Sequence, residues 1–337
     1  MSRITVLGSG AWGTAIALSL NSKGNHEITL WSHRASAAET LLRNHENRQF
    51  LPGFALPESL CITADAALAV VDADILVCSV PSEFLRTTIA GLTQHLRPSQ
   101  IIVSATKGLE DHSFLRMTEV IRSCVVETGL DLPVGALSGP SFAQEVAASM
   151  PTAVTIAFAD ASIGSHIQRE FSSPTLRLYT NDDVIGVEMG GALKNVIAIS
   201  AGVLAGMGLG LNSAAGLITR GIAEITRLAV AAGGQRETLS GLSGVGDLVL
   251  TCTGSLSRNR TVGFQLGQGL KLPEILASLD GKVAEGVRTT RAALGLARKL
   301  GVEMPITEQM ELILDEGKNP RAAIRDLMLR PSRDEED

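Results

Sequence analysis

A glycine-rich turn between a short apolar strand and a helix constrains the fold of this chain more than any other feature. The run RITVLG leads directly into GSGAWGTAIALSL, which places Gly8, Gly10 and Gly13 in the spacing G-x-G-x-x-G. In this spacing Gly8 permits a tight turn, Gly10 lets the backbone approach a pyrophosphate, and Gly13 lets the helix pack on the strand. The helix N-terminus adds a partial positive charge. The pattern predicts a dinucleotide-binding unit at the start of the chain.

Short β-branched segments alternate with helical patterns through the first half of the chain. Strands are predicted at EITLWS, ADILVCSV, SQIIVSAT and VGALSG, and helices at residues 11–21, 84–95 and 113–127. Such alternation is typical of a mostly parallel sheet that binds ligands at the carboxyl ends of its strands. The segments TAVTIAF and TLRLYT are expected to add a pair of strands at the far edge.

Helical periodicity replaces the strand pattern after about residue 181. Helices are predicted at residues 184–207, 213–232, 258–266, 272–279, 286–300 and 306–315. A length of 337 residues also favours two domains over one core. We therefore predict an α/β fold class with an N-terminal Rossmann-type dinucleotide-binding domain (residues 1–182), a C-terminal all-helical substrate and catalytic domain (183–330) and a solvated tail (331–337).

Composition narrows the classes of partner and the compartment. A net charge of −6 and an aromatic content of 3% argue against nucleic acid, so an anionic substrate needs a local cluster of positive groups. The four cysteines are widely spaced, which predicts reduced thiols in or near the core, no metal site and a cytoplasmic protein. The N-terminus lacks a signal-peptide pattern, and the glycine-rich apolar run 196–211 is short for a membrane span, which predicts a buried helix.

Lys194 is the only charged residue between Met189 and Thr219. An ammonium group among Gly, Ala, Val, Ile and Leu loses hydration, so it must be paired, be neutralised by a lowered pKa, or face a cavity where it acts. The structural alternative is a lysine that extends from a buried helix to water.

Three further segments carry groups suited to an anionic substrate. Lys107 in VSATKGLE follows a predicted strand on the ligand side, and GPSFAQEVA opens a helix near Ser141. The segment GLSGVGDLVLTCTGSLSRNR holds Asp247 in a glycine-rich turn and begins a helix at Ser257 and Arg258. A serine N-cap, free backbone N–H groups and guanidinium groups together form a phosphate site. For any single segment, an ordinary capped helix with surface charges is the alternative.

The end of the second predicted strand bears on the choice of dinucleotide. NAD-specific proteins usually place an acidic residue there, whereas this chain has Ser32, His33 and Arg34. Arginine and histidine accept a ribose phosphate that a carboxylate would repel. NADPH is therefore the predicted preference, with NADH possible; the alternative is a solvated loop with an incidental basic residue.

Successive segments along nearly the whole chain resemble the bacterial NAD(P)-dependent glycerol-3-phosphate dehydrogenases. They are GSGAWGTA, KGLE, GPSFAQEVA, GGALKNVIAI, GLSGVGDLVLTCTGSLSRNR and EGVRTTRAALGLARKLGVEMPI. GGALKN and GDLVLTCT are specific to that family rather than to dinucleotide folds in general. The resemblance implies reversible reduction of dihydroxyacetone phosphate to sn-glycerol 3-phosphate, which supplies glycerophospholipid synthesis.

The resemblance also implies roles for individual residues. Lys194 would be the catalytic acid/base, assisted by Lys107 and Asp247. The implied substrate contacts are Lys107, Gly139, Ser141, Lys194, Asp247, Ser257, Arg258 and Asn259. The implied cofactor contacts are Gly8, Gly10, Ala11, Trp12, Gly13, His33, Arg34, Lys107, Ala143, Arg258, Val283 and Glu285. Two positions depart from the commoner family pattern: Ala11 lacks a frequent serine hydroxyl, and Glu83 adds a negative charge near the cofactor.

The chemistry gives a reason for the lone lysine. Reduction of a ketone needs a hydride from the nicotinamide and a proton for the developing alkoxide. An apolar setting lowers a lysine pKa toward about 7 to 8, where the group gives and takes a proton. Lys107 would lower the pKa of Lys194 further, and Asp247 would aim its side chain but oppose the lowering. Arg258 would position the substrate through its phosphate.

Two other functions remain open at this point. A related two-domain reductase, such as a β-hydroxyacid or 6-phosphogluconate dehydrogenase, also uses lysine, but its substrates carry a carboxylate. A non-catalytic NADP(H)-binding sensor would keep the fold without turnover. The glycine-rich helices of the second domain are expected to form either a core or the interface of a homodimer.

Overall fold

The computed structural model describes residues 1–278, 284–332 and 334–335. The expected cofactor contact Val283 therefore lies outside the described residues, as do residue 279 of one predicted helix and residues 333, 336 and 337 of the predicted tail. The described tail residues are exposed.

One mixed sheet organises the N-terminal domain. The ten strands are β1 (Ser2–Leu7), β2 (His26–Trp31), β3 (Glu46–Asn47), β4 (Leu51–Ala55), β5 (Cys61–Thr63), β6 (Ile75–Cys78), β7 (Ile101–Ser104), β8 (Val134–Ser138), β9 (Thr152–Ala157) and β10 (Leu176–Asn181). Eight of them form the sheet in the order β10-β9-β8-β7-β6-β1-β2-β5. Only the β8–β9 pair in this sheet is antiparallel among the described residues. The predicted parallel sheet and its strand pair at the far edge are confirmed.

Helices cover both faces of the sheet, which explains why its central strands are continuous apolar runs. The helices of this domain are α1 (Ala11–Ser22), α2 (Ala35–Asn44), α3 (Ala66–Val70), α4 (Ser82–Leu92), α5 (Met117–Val126), α6 (Ala143–Ala147) and α7 (Ala161–Phe171), with a 3-10 turn at Thr93–His95. Ile4 and Val6 pack into the core on one face, whereas Leu7 packs into the core on the other. This alternation follows the two-residue period of a strand.

The helix predicted over residues 113–127 begins later than expected, at Met117. His112 and Phe114 have positive φ angles of 68° and 61°, and Leu109 pairs with Arg116 as an isolated antiparallel bridge. The segment before α5 is therefore a tight turn rather than helix.

The C-terminal domain is helical, as predicted. Its helices are α8 (Val184–Gly206), α9 (Leu211–Ala231), α10 (Arg236–Leu239), α11 (Asp247–Thr253), α12 (Arg258–Gly267), α13 (Leu272–Ala277), α14 (Glu285–Leu300), α15 (Pro305–Asp315) and α16 (Pro320–Met328), with a π-helical turn at Leu242–Gly246. Within the described part of the chain, α8 alone is long and apolar enough to span a membrane, and 94% of its most apolar window is buried inside the protein. The glycine-rich run is therefore the core of this domain.

Glycines bring α8 and α12 into close contact. A Cβ atom on Gly202 would lie 2.1 Å from the carbonyl oxygen of Arg260, and one on Gly263 would lie 1.9 Å from the carbonyl oxygen of Ile199. Both separations are shorter than any van der Waals contact, so only glycine allows the two backbones to approach this closely.

All four cysteines are free. Cys78, Cys124 and Cys252 are buried, but Cys61 is exposed on β5 at the edge of the sheet. The expectation that every thiol lies in or near the core was wrong for Cys61, because β5 is the edge strand of the sheet and pairs only with β2.

We predict that Gly263→Ala destabilises the C-terminal domain by about 1–3 kcal/mol, because the added methyl group overlaps the α8 backbone. The measurement is the urea midpoint followed by circular dichroism. The matched control is Gly216→Ala on the exposed part of α9, where a Cβ meets nothing within 4 Å. This control should be stabilised by about 0.5–1 kcal/mol through its helix propensity. Equal midpoints for the two variants would contradict the close-packing argument.

Candidate active site

The glycine-rich turn has the geometry of a phosphate cradle. Gly8 has a φ angle of 115°, and a Cβ there would lie 2.6 Å from the carbonyl oxygen of Ser79. A Cβ on Gly13 would lie 1.9 Å from the carbonyl oxygen of Gly8, whereas one on Gly10 would meet nothing within 4 Å. Gly8 and Gly13 thus permit the turn and the helix packing, and Gly10 leaves open space at the N-terminus of α1. Ala11 and Trp12 form the first turn of that helix. These residues fit a dinucleotide pyrophosphate.

A cavity of about 340 Å³ lies beside this turn and is lined by Ser9, Arg34 and Ser36, among others. Arg34 is the N-cap residue of α2, and its neighbour His33 is exposed. Arg48 and Glu46 line the same cavity, and the Nε atom of Arg48 is paired with Oε2 of Glu46 at 3.0 Å.

The three residues expected to be catalytic meet at one carboxylate. The Nζ atom of Lys194 donates to Oδ1 of Asp247, and the Nζ atom of Lys107 donates to Oδ2 of Asp247 at 2.7 Å. Lys194 Nζ also donates to the hydroxyl oxygen of Thr251 at 2.9 Å. Asp247 is fully buried and the side chain of Lys194 is 8% exposed, so this lysine does not extend to water.

Two adjacent glycines explain how α8 reaches this position. A Cβ on Gly190 would lie 2.4 Å from the carbonyl oxygen of Ser243, in the π-helical turn that precedes Asp247. A Cβ on Gly191 would lie 2.3 Å from the hydroxyl oxygen of Ser138 at the end of β8. Gly190 and Gly191 therefore allow α8 to pass between the π-helical turn and the end of β8. Lys194 lies one helical turn after Gly190.

Burial lowers the pKa of Lys194 to about 7. The neighbouring positive charge of Lys107 lowers it further, whereas the charge and hydrogen bond of Asp247 oppose the shift. Desolvation of the ammonium group outweighs its pairing with a single carboxylate that it shares with a second lysine. The expected lowering of this pKa is confirmed.

The end of β8 supplies further groups next to the lysines. Gly139 has a φ angle of 135°, and its carbonyl oxygen accepts a hydrogen bond from Lys107 Nζ at 3.3 Å. The hydroxyl of Ser141 donates to the same carbonyl oxygen at 2.9 Å. Ala143 begins the short helix α6.

The start of α12 holds the groups that the sequence analysis expects to bind phosphate. The hydroxyl oxygen of Ser257 accepts a hydrogen bond from the backbone N–H of Arg260 at 3.2 Å, which confirms the predicted N-cap. Arg258 follows and is exposed. The side chain of Asn259 is not available in the same way, because its amide donates to Asn195 at 2.9 Å and accepts from the backbone N–H of Gly286 at 3.0 Å. Asn259 therefore joins α8, α12 and α14.

Glu285 begins α14 and faces the N-terminal domain. Its Oε2 atom accepts a hydrogen bond from the hydroxyl of Ser82 at 2.9 Å, and Ser82 is the first residue of α4. Burial raises the pKa of Glu285, and Arg258 opposes this shift. The next residue of α4, Glu83, is paired with Arg288 of α14, so its negative charge is balanced.

The sequence analysis missed Thr251, Ser82 and Arg288. Thr251 lies four residues after Asp247, so the helical i, i+4 spacing predicts that the two side chains share a face. Ser82 and Arg288 carry no comparable local signal, because their partners are distant in the sequence.

Comparisons with known proteins cover nearly the whole chain. Residues 3–163 match the model of the NAD-dependent glycerol-3-phosphate dehydrogenase N-terminus, and residues 183–325 match that of the C-terminus. A glycerol-3-phosphate dehydrogenase [NAD(P)+] of Acidobacterium capsulatum is 60% identical over 99% of this chain and 100% of the relative. That of Koribacter versatilis is 53% identical over 98% of both chains. The crystal structure of the Coxiella burnetii glycerol-3-phosphate dehydrogenase is 37% identical with a TM-score of 0.92, covering 98% of this chain and 99% of that chain.

Proposed function

Because this chain belongs to the NAD-dependent glycerol-3-phosphate dehydrogenase family, we propose that Lys194 is the proton donor and acceptor of the family's reaction. The chain is an oxidoreductase that interconverts dihydroxyacetone phosphate and sn-glycerol 3-phosphate with a nicotinamide dinucleotide. The observation that carries the proposal is the buried ammonium group of Lys194, which has a pKa of about 7 and donates to the buried carboxylate of Asp247.

The bound cofactor supplies the hydride that reduces the ketone carbon. Lys194 Nζ gives the proton that the ketone oxygen needs, and in the reverse direction it takes that proton back. A pKa near 7 leaves both forms of the lysine populated at neutral pH, which suits a reversible reaction. Lys107 contributes a second positive charge that stabilises the developing alkoxide.

Asp247 fixes the directions of both lysines. One carboxylate oxygen accepts from each Nζ atom, so the two ammonium groups are held next to the same carboxylate. Asp247 raises the pKa of Lys194, but burial and Lys107 outweigh it. The net positive charge of the three groups favours an anionic substrate.

We propose that the substrate phosphate binds at the start of α12. Ser257, the guanidinium of Arg258 and the first backbone N–H groups of the helix supply charge and donors there. Asn259 would contribute through its backbone N–H, because its side chain is bonded to Asn195 and Gly286. Gly139 and Ser141 would complete the substrate site beside Lys107.

We propose that the dinucleotide lies along the N-terminus of α1, with its adenosine end at the cavity lined by Arg34. The turn from Gly8 to Gly13 would hold the pyrophosphate, together with Ala11 and Trp12. The other proposed contacts are His33, Lys107, Ala143, Arg258 and Glu285. The proposed preference for NADPH rests on Arg34, which lines this cavity at the start of α2, and on its neighbour His33.

We further propose a domain boundary between residues 182 and 183, a cytoplasmic location and a role in the supply of sn-glycerol 3-phosphate for phospholipid synthesis. The buried cysteines Cys78, Cys124 and Cys252 suit a reducing compartment. Homodimer formation stays a prediction, because α8, the most apolar helix, is buried within its own chain.

We predict that Lys194→Met reduces turnover by about 10²–10⁴-fold, because the transition state loses its proton donor. The assay mixes the protein with NADPH and dihydroxyacetone phosphate and follows the nicotinamide absorbance. The control is Lys299→Met on the exposed end of α14, with circular dichroism to show that both variants are folded. A folded Lys194→Met variant with wild-type turnover would remove Lys194 from the reaction.

The pH profiles of the two reaction directions should be opposite. Reduction needs protonated Lys194, so its kcat/KM falls as the pH rises through about 7, whereas oxidation needs neutral Lys194 and its kcat/KM rises through the same pH. Lys107→Met should move both inflections to higher pH, because it removes a like charge. Inflections that stay in place in this variant would contradict the proposed coupling.

We predict that Arg34→Ala weakens NADPH binding by about 10- to 100-fold and leaves NADH binding little changed, because a charge-assisted phosphate contact is lost. Titration of the reduced nicotinamide fluorescence gives both dissociation constants. Arg43→Ala, in the last turn of the same helix, is the control. An equal loss of affinity for the two cofactors would exclude Arg34 from the ribose-phosphate role.

A further inference from the structure

A cluster of three charged side chains joins the two domains next to Glu285. Arg288 of α14 places its Nη2 atom 2.5 Å from Oε2 of Glu83 in the first turn of α4. Its Nη1 atom lies 3.3 Å from Oδ2 of Asp111, which follows the segment of Lys107. One guanidinium group of the helical domain thus contacts two separate elements of the N-terminal domain. We refer to Glu83, Asp111 and Arg288 as the Arg288 cluster.

The Arg288 cluster is continuous with the contact between Ser82 and Glu285. Ser82 precedes Glu83 on α4, and Glu285 lies three residues before Arg288, on the same face of α14. The starts of the two helices are therefore joined by two neighbouring contacts, one a hydrogen bond and the other an ion pair.

This pair of contacts also touches the backbone that carries Lys107. The next residue, Gly108, has a φ angle of 141°. A Cβ on Gly108 would lie 3.0 Å from the Cβ of Ser82 and 3.8 Å from Oε2 of Glu285. The start of α14 therefore packs against both α4 and the segment of Lys107, and a shift of α14 would disturb both.

The carboxylate of Glu83, which pairs with Arg288, also acts electrostatically on Glu285. Burial raises the pKa of Glu285, and the negative charge of Glu83 raises it further, whereas the hydrogen bond from Ser82 and the charge of Arg258 oppose both effects. Without Arg288, the carboxylates of Glu83 and Asp111 would lose the cation that they share. Arg288 balances the charge by which Glu83 departs from the commoner family pattern.

We propose that Arg288 is a positioning residue of this dehydrogenase. Its pairing with Glu83 and Asp111 keeps Glu285 and the backbone around Lys107 at fixed relative positions in the proposed cofactor site. The proposal rests on the place of Glu285 in the proposed cofactor site. Arg288 itself needs no contact with substrate or cofactor for this role.

The exposure of the Arg288 cluster distinguishes a positioning role from a contribution to folding stability. The side chains of Arg288, Asp111 and Glu83 are 42%, 43% and 20% exposed. Because the guanidinium group common to both ion pairs is accessible to water, neither pair contributes much to folding stability. Removal of Arg288 should therefore affect the cofactor site far more than the stability of the fold.

The test compares Arg288→Met with two reference variants. We expect Arg288→Met to raise the dissociation constants of NADPH and NADH about tenfold, with the thermal midpoint unchanged within about 2 °C. Arg288→Lys keeps the charge and should restore most of the affinity. The matched control is Arg291→Met on the same helix, whose partner Asp315 belongs to the helical domain; it should leave both dissociation constants unchanged.

A second pair of variants tests the charge argument and the underlying site assignment. Glu83→Gln in the Arg288→Met background should recover part of the lost affinity, because it removes the unbalanced carboxylate. Glu285→Gln should weaken cofactor binding if the proposed site is right. Normal cofactor binding by Glu285→Gln would overturn the site assignment. Weak binding by Glu285→Gln together with normal binding by Arg288→Met would overturn only the positioning role, and so would an equal loss of affinity in Arg291→Met.

Discussion

The buried carboxylate of Asp247, which accepts hydrogen bonds from two lysines, is the interaction on which the rest of the site depends. Lys107 comes from the segment after β7 of the N-terminal domain, and Lys194 comes from the central helix of the C-terminal domain. One carboxylate shared by two ammonium groups leaves a net positive charge, and burial of that charge costs free energy. The cost is relieved when Lys194 loses its proton, which is why its pKa falls to about 7.

Small residues make this arrangement sterically possible. Gly190 and Gly191 let α8 approach the turn before Asp247 and the end of β8, and Gly108 lets the segment of Lys107 pack beside Ser82. Gly263 allows α12, which carries the proposed phosphate site, to pack directly on the backbone of α8. The glycines of the motif segments thus allow short distances between neighbouring backbones. The charged side chains come into contact because the backbones that carry them lie close together.

Polar contacts join the two domains at two places. Glu188 of α8 accepts hydrogen bonds from the backbone N–H and the hydroxyl of Thr118, at the N-terminus of α5, and it pairs with Arg116. Arg288, near the start of α14, forms a second connection between the domains through its ion pair with Glu83 of α4. Such contacts fix relative positions because each joins a helix terminus or a guanidinium group of one domain to a carboxylate of the other.

The sequence by itself determined the features that depend on local patterns of residues. The spacing of Gly8, Gly10 and Gly13, the alternation of strands and helices, and the lone charge of Lys194 all act through neighbouring residues, so periodicity and composition suffice to find them. The tertiary structure alone decided which distant groups meet. Strand β4 contains Pro52 and Gly53, which disfavour a strand, and it forms only through its partner β3. The amide of Asn259 and the guanidinium of Arg288 likewise gain their partners through packing between helices, which no local pattern encodes.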